Sequence, residues 1–170
     1  NHIVVLDNTF LDGADSLTGG VGGDTLQAGD GQDTLTGIGG YDSLSGGAGD
    51  DRFVLVNGTE LGLDSIDGGA GIDTLAFTGL TNDLVDSSFA HVAANSIESI
   101  TLSAFDNAVT LGTTAAAATV NLSVTGASGN DRIEASNFTE SLYVTTDGGN
   151  DTLTGGTQVD TLLGGDGNDL

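Results

Sequence analysis

Large apolar residues recur at a fixed interval in the first third of the chain, each between polar neighbours. Leu17, Leu26, Leu35, Leu44 and Phe53 lie nine positions apart. A glycine-rich stretch separates each from the next, and because glycine adopts positive φ without steric cost, it predicts a turn. Each short triplet around the apolar residue predicts a strand with that side chain on one face. Two units of turn and strand return the chain to the same side, so the pattern predicts an all-β, right-handed parallel β-roll, or β-solenoid, with eighteen residues per coil.

The repeating unit reads G-G-x-G-x-D-x-U-x, where U is a large apolar residue. Its fullest copies are GGVGGDTLQ at residues 19–27, GGAGDDRFV at 46–54 and GGAGIDTLA at 68–76. The aspartates at its D position are Asp15, Asp24, Asp33, Asp42, Asp51, Asp64, Asp73, Asp131, Asp151, Asp160 and Asp169. Glycine stands two residues before most of them, at Gly13, Gly22, Gly31, Gly40, Gly49, Gly71, Gly149 and Gly167. Stacked coils should therefore align the aspartates in columns, with Asp15, Asp33, Asp51 and Asp73 in one and Asp24, Asp42 and Asp64 in the other.

A second, less regular run of the unit begins near residue 126. Glu140 lies nine residues after Asp131, at the D position of a degenerate unit whose apolar residue is Leu142. Two inserted residues follow before the next full unit. We expect one column of Asp131, Asp151 and Asp169 and another of Glu140 and Asp160.

These patterns divide the chain into four parts. They are a leading strand (1–9), a first repeat block (10–76), a middle segment rich in Ser, Thr and Ala (77–125) and a later repeat block (126–170) whose last unit is cut short. Four extra residues at 55–58 should bulge out without changing which side of the roll comes next. In the middle segment, alternation such as Ile100 and Leu102 predicts longer strands, either as further coils or as a small sandwich-like insert. Residues 83–95 fit a loop with a short helix, and the two blocks form either one solenoid or two rolls.

The amino-acid composition excludes several classes of function. The 170 residues include 25 Asp and Glu but only 2 Lys and Arg, which gives a formal net charge of −23. Nucleic-acid binding needs a basic face, and an anionic membrane surface repels such a chain. No apolar run is long enough to span a bilayer, no secretory signal opens the chain, and the absence of Cys excludes disulfides. Because a P-loop lysine and a G-x-S-x-G nucleophile motif are absent, we predict that the chain is not an enzyme.

The stacked aspartates indicate a metal. Adjacent coils lie about 4.8 Å apart, and carboxylates at that distance repel by roughly 1–3 kcal/mol per pair. A divalent cation reverses the sign of this contribution and joins neighbouring coils. The donors are carboxylates and turn carbonyls, which suit calcium. Zinc would require Cys or His, and only His2 and His91 exist. Magnesium prefers water-rich sites with few carboxylates.

The nonapeptide resembles the RTX, or hemolysin-type calcium-binding, repeat family, over residues 10–54, 59–76 and, more loosely, 126–170. The resemblance implies a β-roll with several calcium ions in its glycine-rich turns. It also implies an extracellular bacterial protein, exported unfolded by type I secretion and folded by calcium outside the cell. SIESITLS at residues 96–103, followed by what we expect to be Thr/Ala-rich strands, is similar in texture to surface-layer and adhesin proteins.

The leading hypothesis is therefore a calcium-binding structural module of a surface-layer or adhesin-like protein. Its partners would be calcium, copies of itself in a surface lattice, or cell-surface glycans. The alternative is a non-catalytic tail or spacer of a secreted protease, lipase or alginate-modifying enzyme. A third, weaker hypothesis is an ice- or glycan-binding surface formed by outward threonines. A chain that stops within a repeat unit is also expected to be an excerpt of a longer protein.

Overall fold

The computed structural model describes residues 13–79 and 82–170, and it is built from parallel strands. The strands are β1 (Ser16–Thr18), β2 (Thr25–Asp30), β3 (Thr34–Thr36), β4 (Ser43–Ala48), β5 (Arg52–Leu55), β6 (Ser65–Ala70), β7 (Thr74–Phe77), β8 (Asn82–Leu84), β9 (Ile97–Thr101), β10 (Asn107–Thr110), β11 (Thr119–Thr125), β12 (Arg132–Glu134), β13 (Leu142–Thr145), β14 (Thr152–Thr154) and β15 (Thr161–Leu163). The odd-numbered strands form one eight-stranded sheet in chain order. Of the others, β2, β4 and β6 form a three-stranded sheet, and β8, β10, β12 and β14 a four-stranded one. The predicted parallel β-roll is confirmed.

The eight-stranded sheet runs through the first repeat block, the middle segment and the later repeat block without a break. Its fifth and sixth strands, β9 and β11, both lie in residues 77–125, where the nonapeptide is absent. The predicted leading strand at residues 1–9 lies outside the described residues. No helix within residues 13–79 and 82–170 is both long and apolar enough to cross a membrane.

Coil length changes along the roll, although the side chains keep their register. Hydrogen bonds between equivalent positions span 18 residues in the first coils and then 22 residues from Asp42 to Asp64 and from Asp51 to Asp73. The spans reach 25 residues at Asp73 to Glu98, fall to 20 between Asp131 and Asp151, and return to 18 at the end. The insertion near residue 55 therefore lengthens a coil without shifting the columns, as predicted.

The longer coils are accommodated by short helices at their edge. They are α1 (Gly58–Leu61), a 3-10 helix (Asp86–His91) and α2 (Thr113–Ala118). The 3-10 helix agrees with the loop and short helix predicted for residues 83–95. The Thr/Ala-rich segment that we expected to be strand is helical at Thr113–Ala118, because alanine has the highest helix propensity. Asp86 also caps this helix, accepting the N–H groups of Gly112 and Ala115 at 2.9 and 2.8 Å.

The core is one continuous cluster of buried apolar side chains, supplied by the strands of the sheets and by the short helices. The residues at the U position of the first repeat block are almost fully buried, for example Leu26, Leu35 and Phe53 at 0% exposure. Their neighbours in sequence point outward, which is the period-2 pattern of a strand. Leu153 and Leu162 near the end of the chain are only partly buried.

Candidate metal centre

The aspartates of the repeat form continuous columns, joined by hydrogen bonds from one coil to the next. In each pair the backbone N–H of one aspartate donates to Oδ1 of the aspartate in the following coil. In the first column these bonds run from Asp15 to Asp33, from Asp33 to Asp51 and from Asp51 to Asp73, at 2.8, 2.9 and 2.8 Å. The structure thus brings these four residues together as the sequence predicted.

A second column lies at the other edge of the roll. There Asp24 N–H donates to Asp42 Oδ1 at 2.8 Å, and Asp42 N–H donates to Asp64 Oδ1 at 3.0 Å. A third column, in the later repeat block, precedes the four-stranded sheet. In this column Asp131 N–H donates to Asp151 at 2.7 Å, and Asp151 N–H to Asp169 at 3.0 Å.

The second carboxylate oxygen of these aspartates is buried and has no hydrogen-bond partner among the described residues. This holds for Oδ2 of Asp24, Asp33, Asp42, Asp51, Asp64, Asp73, Asp131 and Asp151, and for Oδ1 of Asp24. The eight residues are at most 2% exposed. An anionic oxygen removed from water without a partner is strongly unfavourable. A row of such oxygens is therefore the expected geometry of a site completed by cations.

Glycines leave room beside these oxygens. A Cβ on Gly19, five residues before Asp24, would lie 2.7 Å from Asp24 Oδ2 and 2.8 Å from the carbonyl oxygen of Gly37 in the next coil. A Cβ on Gly46 would likewise collide with Asp51 Oδ2 and the Gly68 carbonyl oxygen. Each glycine thus faces a carboxylate oxygen of its own coil and a carbonyl oxygen of the next. These cradles of hard oxygen atoms fit calcium.

The glycines two residues before most of these aspartates allow successive turns to stack closely. Gly31 has φ +151°, and a Cβ there would collide with the carbonyl oxygen of Gly13 in the preceding coil. The same approach recurs from Gly49 to Gly31 and from Gly149 to Gly129. The backbone of each of these turns therefore lies directly against the carbonyl oxygen of the preceding turn. The other predicted glycines at this position are Gly22, Gly40, Gly71 and Gly167, all with positive φ.

Carboxylates alone do not complete these sites. No group of three or more His, Cys, Asp or Glu side chains converges as a metal cluster within residues 13–79 and 82–170. A cation between two coils would therefore take carboxylate oxygens from two aspartates and the remaining ligands from turn carbonyls. Calcium accepts six to eight oxygen ligands of both kinds in flexible geometry, whereas zinc would require nitrogen or sulfur.

The pKa values of several column aspartates are raised, as expected for buried carboxylates that have no positive charge beside them. Burial raises the pKa of Asp64 to about 6; the Asp42 N–H lowers it and the nearby Asp42 carboxylate raises it further. Burial likewise raises the pKa of Asp73 to about 6; the Asp51 N–H lowers this pKa and the Asp51 carboxylate raises it. Burial is also the chief cause of the raised pKa values of Asp42, Asp51 and Asp131. These pKa values describe the columns without metal, where the charged form is disfavoured.

One predicted pairing in the later repeat block is wrong. Asp160 was expected beside Glu140, but its Oδ1 accepts the N–H of Leu142 at 2.9 Å. Strand pairing agrees, since Tyr143 of β13 lies opposite Thr161 of β15. The register is shifted by two residues because the inward apolar residue of this coil is Val144, which pairs with Leu162. Glu140 is exposed and lies outside the column.

Asp160 also differs from the other aspartates in its bonding. Its Oδ2 accepts the N–H of Gly156 at 2.6 Å, so both of its oxygens are engaged by backbone donors. A carboxylate with both oxygens satisfied has less need of a cation. Glu140 and Asp160 therefore lack the buried oxygen without a partner that eight of the predicted aspartates carry.

The structure adds two residues to the columns that the sequence analysis missed. Glu98 accepts the Asp73 N–H at 2.8 Å, and Asn107 N–H donates to Asp131 Oδ1 at 3.0 Å. Both lie two residues before a buried apolar side chain, Ile100 and Val109 respectively. That spacing is the signal of the D position, but the glycines that mark a repeat turn are missing before Glu98 and Asn107.

Comparison with protein families agrees with this geometry. The family model of the RTX calcium-binding nonapeptide repeat matches the sequence four times, at residues 11–42, 33–58, 60–75 and 143–170. Together the matches cover more than half of the chain. A search of curated proteins found no match. The chain belongs to the RTX calcium-binding nonapeptide repeat family, whose repeats form calcium-binding β-rolls.

Proposed function

We propose that this RTX chain is a calcium-dependent folding module of a secreted bacterial protein. Without calcium its acidic columns keep the chain unfolded, and with calcium they fold it into the roll. The observation that carries the proposal is the row of buried aspartate oxygens without partners. The chain has two residues that carry a permanent positive charge, Arg52 and Arg132, and both are exposed. Protein cations therefore do not neutralise the columns.

Folding and metal binding are coupled in such a module. A coil contacts only its neighbours, so its stability is the sum of its own interactions and two interfaces. Within the aspartate columns each interface contains a pair of carboxylates, whose repulsion opposes stacking in the absence of a cation. A calcium ion that binds two aspartates of adjacent coils stabilises the interface itself, so the binding energy is folding energy.

The coupling of folding to calcium binding suits a protein that is exported before it folds. A chain with net charge −23 and no metal stays unfolded where calcium is scarce, as inside a cell, and is then competent for export as an extended polypeptide. Higher calcium outside the cell folds it after export. We propose type I export and an extracellular, cell-surface location on this basis and on the properties typical of the family.

We further propose that the module is structural and non-catalytic, within a surface-layer or adhesin-like protein. The aspartates that would be candidate acids are tied to backbone N–H groups along the columns. The His91 ring is engaged locally, with Nδ1 3.2 Å from the carbonyl oxygen of Gly62. An eight-stranded sheet with outward Ser and Thr residues suits a rod that spaces other parts of a surface protein and contacts further copies or glycans.

A calcium titration followed by circular dichroism tests the proposal. The chain in chelator should be largely disordered, and millimolar calcium should produce the β spectrum. Sodium at equal ionic strength is the control for screening, because sodium screens charge but does not replace calcium as a ligand. Full β content in chelator would show that the columns need no metal. A magnesium titration separates coordination by many oxygens from simple divalent neutralisation.

A further inference from the structure

Glu98 continues the first aspartate column by one coil beyond the last repeat unit of the first block. Its Oε2 accepts the Asp73 N–H at 2.8 Å, as Asp73 Oδ1 accepts the Asp51 N–H at 2.8 Å. Strand register agrees, since Thr74 of β7 pairs with Ser99 of β9. The carboxylate of Glu98 thus stands where a repeat aspartate would stand, although the family match stops at residue 75 and resumes only at 143.

The space between Asp73 and the coil of Glu98 has the features of the cradles in the preceding coils. Asp73 is fully buried, at 0% exposure, and its Oδ2 has no partner among the described residues. A Cβ on Gly68 would collide both with Asp73 Oδ2 and with the carbonyl oxygen of Ser96. On Gly46, one coil earlier, a Cβ would meet Asp51 Oδ2 and the Gly68 carbonyl oxygen. Ser96 therefore presents its carbonyl oxygen as a turn glycine does.

We propose that a calcium ion binds between Asp73 and Glu98, with Asp73 Oδ2, the Glu98 carboxylate and the Ser96 carbonyl oxygen among its ligands. The inference rests on the proposed function, because it requires that the preceding coils of the same column bind calcium. Its consequence is specific to this chain. The middle segment, which lacks the nonapeptide, supplies half of a calcium site and is fastened by it to the first repeat block.

The chemistry of the donors favours calcium at this position. Asp73 and Glu98 together carry two negative charges, which a divalent cation balances. Glu98 Oε1 accepts no hydrogen bond from the described residues. A glutamate can bind calcium with both carboxylate oxygens, and the larger ion tolerates the irregular spacing of carboxylate and carbonyl donors. The coil of 25 residues from Asp73 to Glu98 brings the carboxylate back to the column despite the inserted 3-10 helix.

Counting bound ions in Glu98→Gln tests the site. Glutamine keeps a side-chain oxygen that can accept the Asp73 N–H, so a merely structural role of Glu98 is retained while the charge is lost. The matched control is Asp67→Asn, which removes one negative charge from an exposed position of β6. At saturating calcium, native mass spectrometry should find one ion fewer in Glu98→Gln than in the wild type, and the wild-type number in Asp67→Asn. An unchanged count in a folded Glu98→Gln variant would overturn the inference.

A crystal of the wild-type chain grown in calcium gives a reading that does not depend on the folding of a variant. The anomalous difference map should show a peak about 2.3–2.6 Å from a Glu98 carboxylate oxygen and from the Ser96 carbonyl oxygen. Peaks in the preceding coils without one at Glu98 would overturn this inference and leave the proposed function intact. Absence of calcium from every coil would instead contradict the proposed function.

Discussion

The two repeat blocks share the eight-stranded sheet but differ in how they distribute charge. The first repeat block has aspartate columns at both edges of the roll, and six of its described aspartates carry a buried oxygen without a partner. The later repeat block has one such column, and its other edge is closed by Asp160, both of whose oxygens accept backbone N–H groups. The first repeat block therefore has two edges with buried carboxylate oxygens that lack a partner, and the later repeat block has one.

A second ladder of hydrogen bonds, formed by asparagines and Asp106, accompanies the single column of the later repeat block. Asn150 N–H donates to Asn130 Oδ1 at 2.8 Å, and Asn168 N–H donates to Asn150 Oδ1 at 3.1 Å. Asp106 continues the ladder one coil earlier by accepting the Asn130 N–H at 2.7 Å. At the equivalent position of the first repeat block one such bond is present, from the Ile72 N–H to Asp50 Oδ1 at 2.9 Å, and its acceptor is a charged carboxylate. Amide ladders join coils without adding charge, so part of the cohesion of the later block is independent of metal.

The largest expected effect is the response of the two blocks to calcium. In the proposed arrangement, adjacent calcium sites of the first repeat block share aspartates, so each bound ion orders the next coil. We expect this block to fold at lower calcium and over a narrower concentration range than the later block. Limited proteolysis at intermediate calcium should then leave a fragment that contains residues 10–76, and hydrogen exchange should show the same order. Survival of residues 126–170 with the first block digested would reverse the ranking.

The next largest effect should come from a column aspartate in the first repeat block. Asp33→Ala removes the acceptor of the Asp15 N–H and a buried oxygen that serves the neighbouring sites. We expect a several-fold rise in the calcium midpoint and a lower ion count. Asp15→Ala changes the first column position that the structure describes, and it should have a smaller effect. Equal midpoints for the two variants, followed by circular dichroism, would contradict the column arrangement.

Asp160→Ala is the matched change in the later repeat block. It removes two backbone hydrogen bonds to a carboxylate, which corresponds to a loss of roughly 1–3 kcal/mol in the free energy of unfolding. Because neither oxygen of Asp160 is without a partner, we expect the number of bound calcium ions to stay unchanged. Urea unfolding at saturating calcium measures the first quantity and native mass spectrometry the second. A lost ion would place Asp160 among the calcium ligands.

In the absence of calcium, acidification should stabilise the first repeat block. The folded-state pKa values of Asp64 and Asp73 are about 6, above the ordinary value of 3.8. The stabilisation that follows from protonating them is fully present below pH 4 and is lost as the pH rises through 6. Lowering the pH from 7 to 4 in chelator should therefore stabilise the first repeat block, on the order of 2 kcal/mol per group. With calcium present the sign reverses, because protons compete with the ion.

Circular dichroism in chelator between pH 7 and pH 4 measures this acid response. The control is the double variant Asp64→Asn and Asp73→Asn, which has no carboxylate to protonate at these positions and should lose much of the response. An acid response of equal size in that variant would assign the effect to the general fall in net charge.

Much of the first repeat block could be predicted from sequence because its structure is local and periodic. The turn glycines and the apolar residue after each aspartate fix a coil without reference to the rest of the chain. The bulge near residue 55 was predictable for the same reason, since Asp64 and Asp73 keep the interval of nine after it. The calcium-binding roll is a consequence of that repetition.

The remaining features depend on contacts that sequence periodicity does not contain. Glu98 enters the column only because a coil of 25 residues returns it there, and no interval in the sequence marks that length. The helix at Thr113–Ala118 is capped by Asp86, a residue from the preceding coil. In β13, Val144 and not Leu142 lies opposite Leu162 of β15, although both residues are apolar and buried. Each of these is decided by a partner distant in sequence.

The smallest expected effect concerns the amide ladder. Asn150→Ala removes the acceptor of the Asn168 N–H, at 3.1 Å, and the side-chain amide that approaches Asn130 Oδ1 at 3.4 Å. The ladder is exposed, so we expect a loss of about 1 kcal/mol in the free energy of unfolding, with the ion count unchanged. Gln32→Ala is the matched change at the equivalent position of the first block, where one contact of 3.5 Å to Asp50 is lost, and it should be nearly neutral. Urea unfolding of the two variants at saturating calcium measures the difference. If Gln32→Ala cost as much as Asn150→Ala, the ladder would not distinguish the two blocks.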